Sequence, residues 1–274
     1  MYKLLKAEFF RLKRNKIFWG LIVITLGIAC IMSFNSINSF STDKGIDKLL
    51  INYINIIGLF IAIFTSLFTG VEYSDGTIRN KIIIGHSKAS IYLVTLIINI
   101  IVGVFIELVY MLVVTVIGLP IFGGLEMTLS QFCIILLNII MIIVTYATIF
   151  TTISLLCSDI TISTVINIIL VLLMYVAGQS LYLTANSEEF IYCTTYYEEG
   201  KVEREIIGIN PNYPGETKKK ICKFILYIMP TGQASILSNN SDSTDKNILL
   251  LYSIGVTVIF ATIGGFLFNK KELK

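Results

Sequence analysis

Apolar residues fall along the chain in six long runs: Ile17 to Phe34, Leu49 to Val71, Ile91 to Ile117, Gln131 to Leu156, Thr161 to Leu183 and Ile248 to Phe268. Crossing a hydrocarbon core takes roughly 20 mostly apolar residues, and each run is of that order. None shows the alternation of a membrane barrel strand, and an unpaired backbone amide is costly in lipid, so the pattern predicts six helices. The expected fold is an all-α polytopic membrane protein with six transmembrane helices. Residues 1–274 form one transmembrane domain, with a leading polar segment at 1–16 and a long polar connection at 184–247. The first run is expected to be retained as a span, because six basic residues precede it, no small-residue cleavage site follows Phe34, and a second run comes soon after.

Composition agrees with the pattern: 55% of residues are hydrophobic and 14% charged, against about 25% charged in a soluble domain. The net charge of +3 says little as a total, whereas its distribution predicts orientation. Lys3, Lys6, Arg11, Lys13, Arg14 and Lys16 precede the first run; Arg79, Lys81 and Lys88 lie between the second and third; Lys270, Lys271 and Lys274 follow the last. Six spans put all of these on one side, and positive charge in short flanks favours the cytosol, so both termini are expected to be cytosolic. Lys44, Lys48 and seven further basic residues in 184–247 then lie outside, where a long loop translocates largely regardless of charge. No basic patch interleaved with exposed aromatics suggests nucleic acid as a partner.

Between the spans, Met1 to Lys16 mixes Leu4, Leu5, Phe9, Phe10 and Leu12 with its basic residues. That pattern suits a helix lying on the membrane surface, and equally a flank that only sets orientation. Val71 to Lys81 is a polar island between spans two and three, expected to carry its charges into water, with Ser74 or Asp75 capping a short helix from Thr77 through Lys81. Glu107 is the carboxylate well inside an apolar run; it is a candidate for the translocation path, or a neutral acid bonded to Asn138 or Thr145. Asn138, Asn167 and the Ser and Thr residues of spans four and five suit close helix packing. In 184–247 a small external domain is expected. Ile221, Phe224, Ile225 and Ile228 predict an amphipathic helix over 218–228, ended by Pro230, and Cys193 with Cys222 is a candidate disulfide.

Several chemistries lack their residues. One histidine, His86, excludes an HExxH zinc site, and there is neither a GxSxG elbow nor a GxxxxGK[ST] phosphate loop. Glu198, Glu199 and Arg204 fall outside every run, which excludes an intramembrane glutamate protease. No catalytic residue, cofactor site or metal site is expected in this chain.

The stretch Glu72-Tyr73-Ser74-Asp75-Gly76-Thr77-Ile78-Arg79-Asn80-Lys81, followed by Gly85-His86-Ser87-Lys88, resembles the cytosolic segment of the membrane subunits of type-2 ATP-binding cassette transporters, the ABC-2 permeases. The basic leader Lys3 to Lys16 and the closing Phe268 to Lys274 are similar to that family as well. Asn210 to Tyr213 and Leu226 to Gln233 resemble small Gram-positive peptide-export and lantibiotic-immunity permeases. The resemblance implies a multi-pass cell-membrane exporter subunit, dimeric with itself or a related permease. It would be powered by a separate ATPase that holds ATP and magnesium. Glu72, Tyr73, Gly76, Thr77, Arg79 and Asn80 are carried over as candidates for coupling to that ATPase, and an amphipathic or antimicrobial peptide as substrate. Two other classes stay open on the residues alone: an ion-coupled carrier using Glu107, and a non-transporting membrane sensor or scaffold.

Overall fold

The computed structural model describes residues 1–38, 46–125, 127–196, 202–239 and 246–272, with backbone alone at 37–38, 192–196 and 202–205. In chain order the elements are α1 (Tyr2–Lys13), α2 (Lys16–Asn38), α3 (Ile46–Asn52), α4 (Ile54–Ser74), α5 (Thr77–Ile83), α6 (Lys88–Phe122), α7 (Leu129–Leu156) and α8 (Ile160–Ala185). They continue with β1 (Phe190–Tyr196), β2 (Val202–Ile209), α9 (Glu216–Ile228), α10 (Pro230–Asn239) and α11 (Lys246–Lys270). Among the described residues, six helical stretches are long and apolar enough to cross a membrane: Lys16–Ser36, Ile46–Ser74, Lys88–Phe122, Leu129–Leu156, Ile160–Ala185 and Lys246–Lys270. They extend the six apolar runs at most ends, because polar residues such as Lys16, Lys88 and Lys246 continue a helix past the hydrocarbon. At 35 residues, α6 is about 50 Å long and must project beyond a core of about 30 Å.

The bundle is centred on α4, which packs against α6, α7 and α8 and is the most buried of the spans. Close approach rests on small residues, as expected where lipid supplies no hydrophobic drive between helices. A Cβ on Gly58 would meet the Tyr146 ring at 2.8 Å, and one on Gly103 would meet Ile143 at 2.6 Å. On the half of the bundle nearer α3, Tyr53 and Tyr110 stack at 4.2 Å, the Tyr53 hydroxyl meeting Thr25 and that of Tyr110 donating to the Leu49 carbonyl. The polar residues of spans four and five are packing groups. Asn167 donates to Ser66 Oγ at 2.8 Å and Ser154 Oγ at 2.9 Å, joining α8 to α4 and α7, and Asn99 donates to Thr151 at 2.8 Å.

The connection after α8 contains a hairpin and two short helices among its described residues. β1 and β2 form an antiparallel hairpin, and α9 follows where the apolar spacing predicts a helix. After Met229 the chain bends by 104° and α10 turns into the bundle, with every residue from Pro230 to Leu237 buried against α8, α4 and α7. Ten residues are too few to span a membrane, so a search for long apolar runs passes over α10. Of the candidate cysteine pair, Cys222 lies on α9, and the side chain of Cys193 lies outside the described residues.

Candidate functional site

The leader forms a helix that buries one stripe. Leu4, Glu8 and Leu12 recur every four residues and are buried, while Lys3, Lys6, Phe9, Phe10, Lys13 and Arg14 are exposed. Lys13 lies 5.2 Å from the Phe9 ring and Arg14 5.5 Å from that of Phe10, the pairing of aromatic and basic groups that suits a membrane surface. Glu8 is the acid of this basic segment, and burial makes it depend on partners.

Those partners come from the ends of α4 and α5. Glu72 is 1% exposed, and its Oε1 accepts from Arg11 and, at 2.5 Å, from Lys81 Nζ. Glu8 completes the group, 3.0 Å from Arg11 and 2.6 Å from Lys81. Arg11 also donates to the Phe68 carbonyl at 2.6 Å and stands 3.7 Å over the Phe68 ring. Two carboxylates thus face two cations, so the cluster is close to neutral in charge while bonding α1, α4 and α5 together. Burial pulls the Lys81 ammonium and the Arg11 guanidinium below their ordinary pKa values, and the negative charge of Glu8 opposes both shifts.

Between α4 and α5 the chain reverses through Gly76, whose φ of +65° lies in the left-handed region that favours glycine. Gly76 rather than Ser74 or Asp75 precedes α5, with no side-chain cap; Ser74 instead donates back to the Val71 carbonyl. Thr77 Oγ1 donates to the Glu72 carbonyl at 3.0 Å, and Ile78 is buried. The opposite side of α5 leaves Arg79, Asn80, Ile83 and Ile84 exposed. Beside it opens a cleft of about 510 Å³, lined by Tyr73, Gly76, Arg79, Ser158 and Glu272 among others.

Two lysines close the same face. Lys271 Nζ donates to Tyr73 Oη at 3.1 Å and to the Leu155 and Leu156 carbonyls at 2.9 Å each, while the Tyr73 hydroxyl itself donates to Leu155. Lys88 Nζ donates to the Asn269 and Lys271 carbonyls at 3.1 and 2.6 Å. Each lysine thereby satisfies carbonyls left open where a helix ends, α7 in one case and α11 in the other.

The six residues carried over for coupling therefore divide. Arg79 and Asn80 are exposed, and Gly76 and Thr77 shape the turn. Glu72 does not carry its charge into water as the polar island suggests; it is an internal anchor because α1 folds over it. Tyr73 is bonded inward to α7. Glu8, Arg11, Lys88 and Lys271 belong to this face although sequence reasoning singled none of them out for a site. For the pair on α1 there is a visible signal, a lone acid three residues before an arginine in an otherwise basic segment.

Glu107 lies elsewhere, 19 residues into α6 from Lys88 and so about 28 Å along its axis. It is buried, and among the described residues neither carboxyl oxygen has a hydrogen-bond partner. Asn138 and Thr145, the expected partners, instead bond to the Ile134 and Met141 carbonyls, Thr145 also meeting Thr257. Deep burial of an acid without a partner opposes stability, so Glu107→Gln is expected to melt at or above the native temperature in detergent. A clear loss of stability in that variant would mean that Glu107 makes a bond the fold depends on.

The sequence profile of a family described as ABC-2 family transporter protein matches residues 4–178, a stretch running from α1 through most of α8 and containing the whole charge cluster. No curated protein matches the chain.

Proposed function

The chain belongs to the ABC-2 family of transporter proteins, and from that membership we propose that α1, α4 and α5 form the element on which an ATP-binding cassette ATPase acts. Family membership makes the chain a membrane permease subunit partnered by such an ATPase. The observation that carries the site is the cluster of Glu8, Arg11, Glu72 and Lys81, which fastens the exposed helix α5 to a membrane span.

In this mechanism Arg79, Asn80, Ile83 and Ile84 meet the ATPase. Closure of the ATPase on ATP displaces α5, and the buried cluster passes the displacement to α1 and to the end of α4. Movement of α4 against α7 and α8 then reshapes a path at the interface with a second permease, a copy of this chain or a related one. Both termini and α5 face the cytosol, and ATP with magnesium resides on the partner. The substrate we propose is an amphipathic or antimicrobial peptide, exported or expelled at a cell membrane. Support comes from the small outer hairpin, whose Ile206, Ile207 and Ile209 are 60%, 67% and 75% exposed, apolar area suited to a peptide chain.

Arg79 is the residue to change, because it is exposed and the fold does not depend on it. Arg79→Glu is expected to leave melting temperature unchanged while the native-host ATPase no longer co-purifies in mild detergent. Equal recovery of the ATPase with both forms would remove α5 from the contact. Recovery with neither would return the scaffold and carrier readings to first place.

A further inference from the structure

Among the described residues, one side of the amphipathic helix α9 has no partner. Its inward stripe, Leu226 with Cys222 and Met229, packs toward the bundle, while Ile221 and Phe224 stand 54% and 53% exposed with Ile228 beside them. Lys218, Lys220 and Lys223 are exposed around that apolar stripe and Lys219 is half-buried. Two lysines lie against rings, Lys219 5.4 Å from that of Tyr213 and Lys223 5.7 Å from that of Tyr227. The one acid of the helix, Glu216, accepts from the Tyr213 hydroxyl at 2.5 Å.

The position of α9 follows from its neighbour. Because α10 is buried among spans and meets α9 at 104°, α9 turns out of the bundle interior, at the end of α8 remote from α1 and α5. Phe224 sits edge-on to Tyr252 of α11 at 6.0 Å, so the exposed stripe is continuous with the outward side of a membrane-spanning helix. An apolar stripe at that level with lysines around it is the form of a surface-bound helix, and clustered lysines at a membrane surface attract anionic headgroups.

We propose that α9 is a lipid-binding foot: Ile221, Phe224 and Ile228 enter the acyl boundary of the outer leaflet, and Lys218, Lys220 and Lys223 hold the phosphates of anionic phospholipids. The occupant is lipid rather than a second copy, because the same four-lysine helix from another copy would repel it, whereas a phosphate surface complements it. The inference rests on the membrane reading of the six spans and not on any ATPase, so the test needs none.

The probe is a single tryptophan. Trp19 is the one tryptophan of the chain and is exposed, so Trp19→Phe with Phe224→Trp reports on α9 alone. The full chain is reconstituted in vesicles of phosphatidylcholine and phosphatidylglycerol, one or the other brominated at equal mole fraction. Emission should be blue-shifted, with quenching at least about threefold steeper for brominated phosphatidylglycerol, the direction set by lysine attraction to anionic lipid. The preference should disappear in Lys218→Gln/Lys220→Gln/Lys223→Gln, whose changes are exposed, while a Val258→Trp reporter on α11 shows none. Equal quenching by the two lipids overturns the headgroup preference. Water-like emission insensitive to both overturns the foot itself, and blue-shifted emission that neither lipid quenches gives the face to a second protein.

Discussion

Glu72→Gln is expected to cause the largest loss of stability of any single change on the α1 and α5 face, about 2–3 kcal/mol, because it removes the buried carboxylate shared by two half-buried cations. Lys81 and Arg11 would share only Glu8, and α1 would lose its ion pair to α4 while keeping the bond from Arg11 to the Phe68 carbonyl and the pair of Glu8 with Lys81. Thermal unfolding of the purified chain should fall by roughly 10 °C for a protein of this size, and trypsin should cut the leader at Lys3 to Arg14 faster than in the native chain. The second variant that decides the cause is Glu72→Gln/Lys81→Gln, in which charge balance is restored; a large part of the lost stability should return. Equal melting of Glu72→Gln and the native chain would show that the four groups are solvated neighbours and not a unit. On the proposed coupling, a transport defect in Glu72→Gln would follow from a loosened element, in contrast to Arg79→Glu, where the element would stay intact and only its proposed contact would be lost.

Gly232→Ala is expected to expel α10. A Cβ at Gly232 would lie 2.6 Å from the Leu226 carbonyl oxygen and 2.8 Å from its Cα. Those are backbone atoms, and no side-chain rotation relieves the clash. Overpacking typically costs about 1–3 kcal/mol, and the upper end applies where the obstacle is main chain at a bend. Ser235, buried at 1%, supplies the readout. In a background without the five native cysteines, Ser235→Cys should resist a membrane-impermeant maleimide. Adding Gly232→Ala should make it react within the same exposure. Continued resistance would mean that the bend between α9 and α10 has slack that the packing around Gly232 does not suggest.

What the sequence discloses here follows the length over which a signal is written. Six apolar runs announce six spans because each carries about twenty residues of one character, and Ile221, Phe224, Ile225 and Ile228 announce α9 by spacing alone. α10 is silent for the complementary reason: Pro230, Thr231, Gly232 and Gln233 read as a polar loop, and their burial depends on the close approach of Gly178, more than fifty residues earlier, and on the bend that sets Gly232 against Leu226. The site divides in the same way. Gly76 and Arg79 lie where the local pattern puts them, on a turn and an exposed short helix. Glu72 is reversed from exposed to buried by α1, more than fifty residues earlier in the chain, and no local pattern at Glu72 records the arrival of Arg11. Lys271 and Lys88 are read correctly as flanking charges, yet their carbonyl partners are created only when helix ends meet in three dimensions.

The bonds made by Lys271 carry a consequence for biogenesis. Tyr73, Leu155 and Leu156 are all synthesised before α11, so when α7 has entered the membrane Tyr73 can already bond the Leu155 carbonyl, while that of Leu156 still awaits the Lys271 ammonium. Until α11 inserts, that rim of the bundle is an open seam with polar main chain at its edge. The late helix therefore acts as a clasp, closing that rim only after the other spans are in place.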